Sequence, residues 1–124
     1  MSNILYPGQN LYPNQQITSD DGSHRFIVQT DGNCVIYKKD NNHTWATGTD
    51  NKMLGYLAMQ GDGNLVLYDR SGNSIWDSKT YGHNFAYLKM QNDGNLVVYP
   101  KENQPNNADD KNAGALWSTG TYGQ

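Results

Sequence analysis

The chain contains few hydrophobic residues, few charged residues and a single cysteine. Hydrophobic residues make up 35% of the 124 positions and charged residues 17%, below the roughly 45–50% and roughly 25% of an average domain. Disordered chains combine low hydrophobicity with high net charge and few aromatic residues. This chain has a net charge of only −3 and 11% aromatic residues, so the composition favours a folded protein. Its length favours one domain over residues 1–124.

The single cysteine, Cys34, excludes an internal disulfide. A domain of this length buries about two thirds of the surface of its unfolded chain, which is enough for a core without covalent links. Small secreted domains usually carry several disulfides, so the cysteine content favours a reducing compartment or a fold that is stable without them. We interpret Cys34 as a small buried residue.

Several functional classes lack their usual signals. No apolar run approaches the 18 residues of a membrane span, and the start at Met1 has no signal-peptide pattern. We therefore expect no transmembrane segment, and either a cytoplasmic location or export by a non-standard route. The nine basic and twelve acidic residues are scattered along the chain, so we expect no binding of nucleic acid.

The most prominent feature of the sequence is a repeated motif. The segments QTDGNCVIY, QGDGNLVLY and QNDGNLVVY occupy residues 29–37, 60–68 and 91–99. A tryptophan lies 16 residues after the glutamine in the first two copies and 26 residues after it in the third. The additional residues fall within a polar stretch at about 100–115, which we interpret as a loop insertion that alters access to the third copy.

Each motif is predicted to form a β-hairpin with a three-residue loop. The positions one and three before the glutamine, and five and seven after it, are apolar in every copy, which is typical of the inward face of a strand pair. This register makes the glycines Gly32, Gly63 and Gly94 the third loop residue, where a positive φ is needed. The predicted inward residues are Phe26, Val28, Cys34, Ile36, Leu57, Met59, Leu65, Leu67, Leu88, Met90, Leu96 and Val98.

The remainder of each repeat predicts more strands and no helix. Each unit of about 31 residues has room for two further short strands separated by glycine, asparagine and aspartate turns. A single unit cannot bury its own apolar face. We therefore expect an all-β fold in which three units surround a pseudo-threefold axis, with Trp45, Trp76 and Trp117 meeting at its centre.

The outward face of each hairpin carries a glutamine, an aspartate, an asparagine, a valine and a tyrosine. Aspartate accepts hydrogen bonds, whereas the amides and the tyrosine hydroxyl both donate and accept. Such groups around one apolar contact complement the hydroxyls and C–H surface of a sugar ring, with an affinity of about 1 mM per site. The candidate carbohydrate-binding residues are Gln29, Asp31, Asn33, Val35, Tyr37, Gln60, Asp62, Asn64, Val66, Tyr68, Gln91, Asp93, Asn95, Val97 and Tyr99.

The pattern Q-x-D-x-N-x-V-x-Y, present three times, resembles the bulb-type mannose-binding lectins, also called monocot or snowdrop-type lectins. The resemblance extends from about Asn3 to Thr121. It implies a β-prism II fold of three four-stranded antiparallel sheets, and non-enzymatic binding of α-mannose and mannose-rich glycans at three shallow sites. It also implies a homodimer, formed by exchange of C-terminal strands within about 115–122.

The resemblance further implies a role for each motif residue. The aspartate and asparagine would bind the axial 2-hydroxyl that distinguishes mannose from glucose, and the glutamine would bind the 3-hydroxyl. The tyrosine would bind the 4-hydroxyl, and the valine would contact ring carbons. Several such sites on one molecule would act together through avidity.

Other functions find less support in the sequence. Calcium takes 6–8 oxygen ligands, whereas each motif has one aspartate, so we expect no metal and no cofactor. A glycosidase needs two carboxylates at a defined separation, and each motif offers only one. We therefore do not expect the protein to be an enzyme. The alternative function is a defence or scaffold protein that acts through protein or membrane contacts on the same fold. His24, His43 and His83 are predicted to lie in surface loops.

Overall fold

The computed structural model describes residues 2–103 and 114–124. Within those residues the chain forms twelve short β-strands and no helix, so the predicted all-β class is confirmed. Residues 104–113, most of the predicted loop insertion, lie outside the described residues. The strands are β1 (Ile4–Leu5), β2 (Asn10–Leu11), β3 (Gln16–Thr18), β4 (His24–Val28), β5 (Cys34–Lys38), β6 (His43–Ala46), β7 (Leu54–Met59), β8 (Leu65–Asp69), β9 (Ser74–Asp77), β10 (Tyr87–Met90), β11 (Leu96–Tyr99) and β12 (Trp117–Ser118).

The strands form three four-stranded antiparallel sheets, as the family resemblance implied. Their strand orders are β3-β4-β5-β6, β2-β7-β8-β9 and β1-β10-β11-β12. Each repeat supplies three consecutive strands to one sheet. The fourth strand comes from residues 4–18, which contribute β1, β2 and β3 to three different sheets. The prediction of four strands within each repeat was therefore wrong, because the N-terminal segment supplies the fourth strand of every sheet.

The hairpin register agrees with the prediction. Val28 pairs with Cys34 in the first hairpin, and the corresponding residues pair in the other two. The loop glycines have φ values of 99°, 94° and 93°. A Cβ added to Gly63 would lie 2.2 Å from the carbonyl oxygen of His83. Glycine is required there both for the positive φ and for this close approach.

The core lies between the three sheets. All twelve predicted inward residues are at most 1% exposed and belong to one hydrophobic cluster. Trp45, Trp76 and Trp117 meet beside it, with ring centroids 5.9, 5.8 and 5.3 Å apart and interplanar angles of 72°, 71° and 73°. These are edge-to-face contacts, which aromatic rings favour over face-to-face stacking. The predicted meeting of the three indoles is confirmed.

Burial in this core makes Cys34 unreactive. Desolvation raises the pKa of its thiol to about 12, and the nucleophilic species is the thiolate. We expect the native chain to resist alkylation by iodoacetamide at about pH 8, and to react fully once it is unfolded in urea. Mass spectrometry of the two samples checks this. Rapid modification of the native chain would contradict the burial of this residue.

The histidines differ from their predicted placement in loops. His24 lies in β4 and is only 7% exposed. Its ring nitrogens lie 2.7 Å from Ser23 Oγ and 2.7 Å from the carbonyl oxygen of Gln124. His43 is exposed but lies in β6, whereas His83 lies in a turn. The prediction failed for His24 because its position in β4 is on the inward side of the strand.

Candidate functional site

The fifteen candidate residues are brought together as three patches, one on the outer face of each hairpin. The first patch consists of the motif side chains within 29–37, the second of those within 60–68, and the third of those within 91–99. In each patch the glutamine precedes the loop, and the tyrosine is the last or next-to-last residue of the second strand. The inward neighbours of these residues fill the core, so strand alternation directs the patch residues away from it.

A row of hydrogen bonds connects the polar side chains of the second patch. The Tyr68 hydroxyl donates to Gln60 Oε1. Gln60 Nε2 lies 3.1 and 3.3 Å from the two carboxylate oxygens of Asp62. Asp62 Oδ1 also accepts a bond of 2.9 Å from the backbone N–H of Asn64. The third patch contains the same row, with distances of 3.1, 3.2 and 2.9 Å at the corresponding aspartate.

The first patch forms the same row when the oxygen and nitrogen of the Gln29 side-chain amide are assigned to match their hydrogen-bond partners. With the nitrogen facing Asp31, Nε2 lies 3.2 and 3.1 Å from the carboxylate oxygens, and Oε1 lies 2.5 Å from the Tyr37 hydroxyl. In the opposite orientation the amide oxygen would face only acceptors. The pairing of donors with acceptors therefore gives all three patches one arrangement.

This row determines what each group can offer to a ligand. Because the tyrosine proton is donated to the glutamine, the hydroxyl oxygen presents its lone pairs outward. The carboxylate has about four lone-pair sites and uses only some of them within the row. Hydrogen-bonded chains also polarise and orient their members. Each patch is thus a prearranged set of acceptors suited to ligand hydroxyl groups.

The asparagine of each patch is held by the loop that follows the tryptophan. Asn33 Oδ1 accepts from the Thr47 hydroxyl at 3.1 Å and from the backbone N–H groups of Gly48 and Thr49 at 3.0 and 3.2 Å. Equivalent bonds to Oδ1 occur at the other two asparagines. The oxygen is therefore used by the scaffold, and Nδ2 is the group left for a ligand. The prediction of site residues omitted these hydroxyl groups, although a Ser or Thr two and four residues after each tryptophan was the signal.

The Nδ2 groups differ between the patches. Asn64 Nδ2 donates to Asp77 Oδ2 at 3.0 Å. Asn95 Nδ2 is buried and has no hydrogen-bond partner, and an unsatisfied buried donor costs about 1–3 kcal/mol. A ligand acceptor bound at the third patch would remove this penalty.

The three patches also differ in exposure. The glutamine and tyrosine side chains are half-buried in the first and second patches. In the third patch Gln91 is 0% exposed and Tyr99 only 3%. Ala115 packs against the cluster of Ile4, Tyr87, Val97 and Tyr99, and the Tyr87 hydroxyl donates to the carbonyl oxygen of Asn103 at 3.4 Å. The third patch is therefore less accessible than the other two.

The valine of each patch is more buried than the sequence indicated. Val35 and Val66 are each 4% exposed, and Val97 is 0% exposed. They lie on the outer side of their sheets, outside the main core cluster, but neighbouring side chains cover them. The patches therefore offer less apolar surface to a ligand than the alternating pattern suggested.

One position beside each patch was missed. The residue four positions before the glutamine is Arg25, Tyr56 or Tyr87, and each pairs across the strands with the patch tyrosine. The two tyrosines lie with ring centroids 5.3 and 5.8 Å from their partners, and the arginine lies over the Tyr37 ring at 4.6 Å. The predicted hairpin register already placed this position on the outer face, and that was the signal.

Among residues 2–103 and 114–124, no three His, Cys, Asp or Glu side chains lie close enough together to hold a metal ion. The same residues contain no helix long and apolar enough to cross a membrane.

Comparisons with known proteins identify structures similar to this one. A monomeric monocot mannose-binding lectin from Gastrodia elata is 34% identical, with 98% of this chain and 99% of that chain covered and a TM-score of 0.81. A Marasmius oreades lectin is 30% identical, with coverage of 98% and 92% and a TM-score of 0.82. The mannose-specific agglutinin of snowdrop (Galanthus nivalis), complexed with methyl-α-D-mannoside, is 39% identical, with coverage of 83% and 94% and a TM-score of 0.75. No protein-family model matches the chain, and no curated protein matches its sequence.

Proposed function

This chain belongs to the bulb-type mannose-binding lectin family, and we propose that it binds α-mannose and mannose-rich glycans through its patches without calcium. The observation that carries the proposal is the hydrogen-bonded row of tyrosine, glutamine and aspartate on the outer face of each hairpin. In the second patch, Asp62 is exposed and Tyr68 is half-buried, so both are within reach of a sugar hydroxyl.

The patch residues divide the recognition of the ring between them. The carboxylate of Asp62 accepts from the axial 2-hydroxyl, and a hydrogen bond to a charged acceptor contributes about 1.5–3 kcal/mol. Gln60 lies between Asp62 and Tyr68 and orients both through its amide. The oxygen of Tyr68 accepts from the 4-hydroxyl. None of these contacts requires a metal ion, because each is a direct hydrogen bond between a protein group and a sugar hydroxyl.

Titration of the full chain with methyl α-mannoside tests this proposal. The side-chain amide signals of Gln29 and Gln60, followed by NMR with EDTA present, are expected to shift with a dissociation constant of about 1 mM. Methyl α-glucoside is the matched control, because its 2-hydroxyl is equatorial and does not reach the carboxylate. No saturable shift with the mannoside, an equal response to the glucoside, or loss of binding with EDTA would refute the proposal.

The third patch is proposed to bind sugar only when it is uncovered. We expect replacement of residues 100–115 by DRSGNS, the connection at residues 69–74, to increase the number of binding sites from two to three. The physical reason is that Gln91 is 0% exposed in the intact chain and Ala115 packs against the cluster that contains Val97 and Tyr99. The number of responding glutamine amides in NMR titrations of both proteins measures this. An equal response of all three glutamines in the unaltered chain would contradict it.

We also propose that the chain acts multivalently, since each patch alone is weak and two linked sites increase apparent affinity by about 10² or more. The homodimer stays a prediction: β12 pairs with β11 of the same chain at Val97–Ser118 and Val98–Trp117. The molecular mass in solution measures the oligomeric state. Agglutination of mannan-coated beads, and its inhibition by free mannose, measures multivalent binding.

A further inference from the structure

A cavity of about 180 Å³ lies at the tyrosine end of the first patch. Its walls come from the end of β3, the start of β4 and the turn after β5. The lining residues that matter here are Thr18, Ser23, Arg25, Tyr37, Lys38 and Lys39. Three of these six side chains are cationic. The cavity is continuous with the first patch, because Tyr37 belongs to both.

Arg25 is positioned at this cavity by neutral groups. Its guanidinium lies 4.6 Å from the centroid of the Tyr37 ring, and its Nη2 donates to Asn41 Oδ1 at 3.2 Å. Among the residues that the structure describes, no carboxylate lies within ion-pair distance of Arg25, whereas its neighbour Lys38 pairs with Asp40 at 3.9 Å. That pair offsets part of the Lys38 charge and none of the Arg25 charge. The guanidinium is therefore held beside the patch with its charge uncompensated.

The other two repeats provide an internal comparison. The position of Arg25 is occupied by Tyr56 in the second repeat and by Tyr87 in the third. The position of Lys38 is occupied by Asp69 and Pro100. The following position, by contrast, is cationic in all three repeats, where it is Lys39, Arg70 or Lys101. The first patch is thus distinguished from the others by positive charge at one end, while the net charge of the whole chain is −3.

We propose that the first patch selects hexoses that carry an anionic substituent, such as a phosphate, a sulfate or a carboxylate, and that Arg25 determines this preference. The inference rests on the proposed function and deepens it for one of the patches. With the 4-hydroxyl at Tyr37, the C6 group is attached to the ring carbon next to C4 and lies toward the same end. A substituent there enters the cavity and meets Arg25, Lys38 and Lys39.

The expected size of the effect follows from the exposure of these groups. Exposed ion pairs contribute modestly, but a phosphate monoester carries a charge of about −1.5 to −2 at pH 7 and faces more than one cation here. We expect mannose 6-phosphate to bind the first patch about five- to tenfold more tightly than methyl α-mannoside at about 0.02 M salt. The preference is expected to disappear at about 0.5 M salt, because screening weakens interactions between exposed charges.

Two arginine variants of the full chain test the assignment. Arg25→Tyr reproduces the tyrosine pair of the second repeat, where Tyr56 faces Tyr68 at 5.3 Å, so it is expected to fold. Arg70→Tyr is the matched control, because it makes the same substitution at an exposed arginine beside the second patch. For each variant, NMR titration at the Gln29 amide gives one dissociation constant for methyl α-mannoside and one for mannose 6-phosphate. The quantity compared between variants is the first constant divided by the second. That ratio cancels any change in the affinity for the mannoside itself.

We expect the ratio to fall to about twofold or less in Arg25→Tyr and to stay unchanged in Arg70→Tyr. An unmodified chain that binds both sugars equally, or an Arg25→Tyr variant that keeps the preference, would overturn this inference and leave the proposed function intact. Binding of inorganic phosphate as tight as that of mannose 6-phosphate would overturn it too, by showing that the sugar contributes nothing. If methyl α-mannoside shifts the Gln60 amide but not the Gln29 amide, only this inference fails; if it shifts neither, the proposed function fails as well.

Discussion

Replacing Asp62 by alanine is expected to weaken mannose binding at the second patch, raising its dissociation constant from about 1 mM by about 10- to 100-fold. The estimate follows from the loss of a charge-assisted hydrogen bond of about 1.5–3 kcal/mol. The variant also removes the acceptor for Gln60 Nε2, with its contacts of 3.1 and 3.3 Å. The glutamine is then free to turn, and the orientation of the Tyr68 hydroxyl is lost with it. NMR titration at the Gln60 amide measures the change.

The control for this variant is Asp50→Ala, which removes the same charge from an exposed position outside the patches. It is expected to leave binding at all patches unchanged. In Asp62→Ala itself, the first patch is expected to keep its affinity, because it lies on a different sheet. The loss of one bond to the backbone of Asn64 lowers the free energy of unfolding by about 0.5–1.5 kcal/mol. Global unfolding of the variant would contradict the assignment of this aspartate to an exposed turn.

Replacing Trp76 by alanine is expected to lower the free energy of unfolding by about 3–5 kcal/mol. Its indole contacts both other indoles edge-to-face, with ring centroids 5.9 and 5.3 Å away. Each of the three rings comes from a different sheet, so removal of one leaves a cavity where all three sheets meet. Because stabilities of small domains are about 5–15 kcal/mol, this loss is a large part of the total. Urea denaturation followed by circular dichroism measures it.

Tyr81→Ala is the matched control for the tryptophan variant, because Tyr81 is 69% exposed. An exposed substitution of this kind is expected to change stability by less than about 0.5 kcal/mol. In Trp76→Ala, sugar binding at the first and second patches should weaken only by the fraction of chain that is unfolded, because the indole packs against the core and belongs to neither patch. A stable variant with selective loss at one patch would contradict the role of the three indoles in the core.

The accuracy of the sequence-based predictions differed between the hairpins and their surroundings. The hairpin register was predictable because apolar residues alternate with a period of two, and a shift by one residue would reverse both faces. Gly63 then had to occupy the loop position with positive φ, as it does at 94°. The same register placed Arg25 and Tyr56 on the outer face beside the patches. Tyr56 was missed because strand propensity alone accounts for a tyrosine at such a position.

The sequence by itself determined the all-β class, the register of the three hairpins, the inward residues and the common set of five side chains on each outer face. These properties are local, since each depends on residues within one motif. Only the tertiary structure decided where β1, β2 and β3 pair, since strands of two or three residues carry too little pattern to select a partner. It also decided that the third patch is covered and that Arg25 lies uncompensated beside the first. Those differences depend on which distant segments pack against each hairpin, and local alternation contains no information about that.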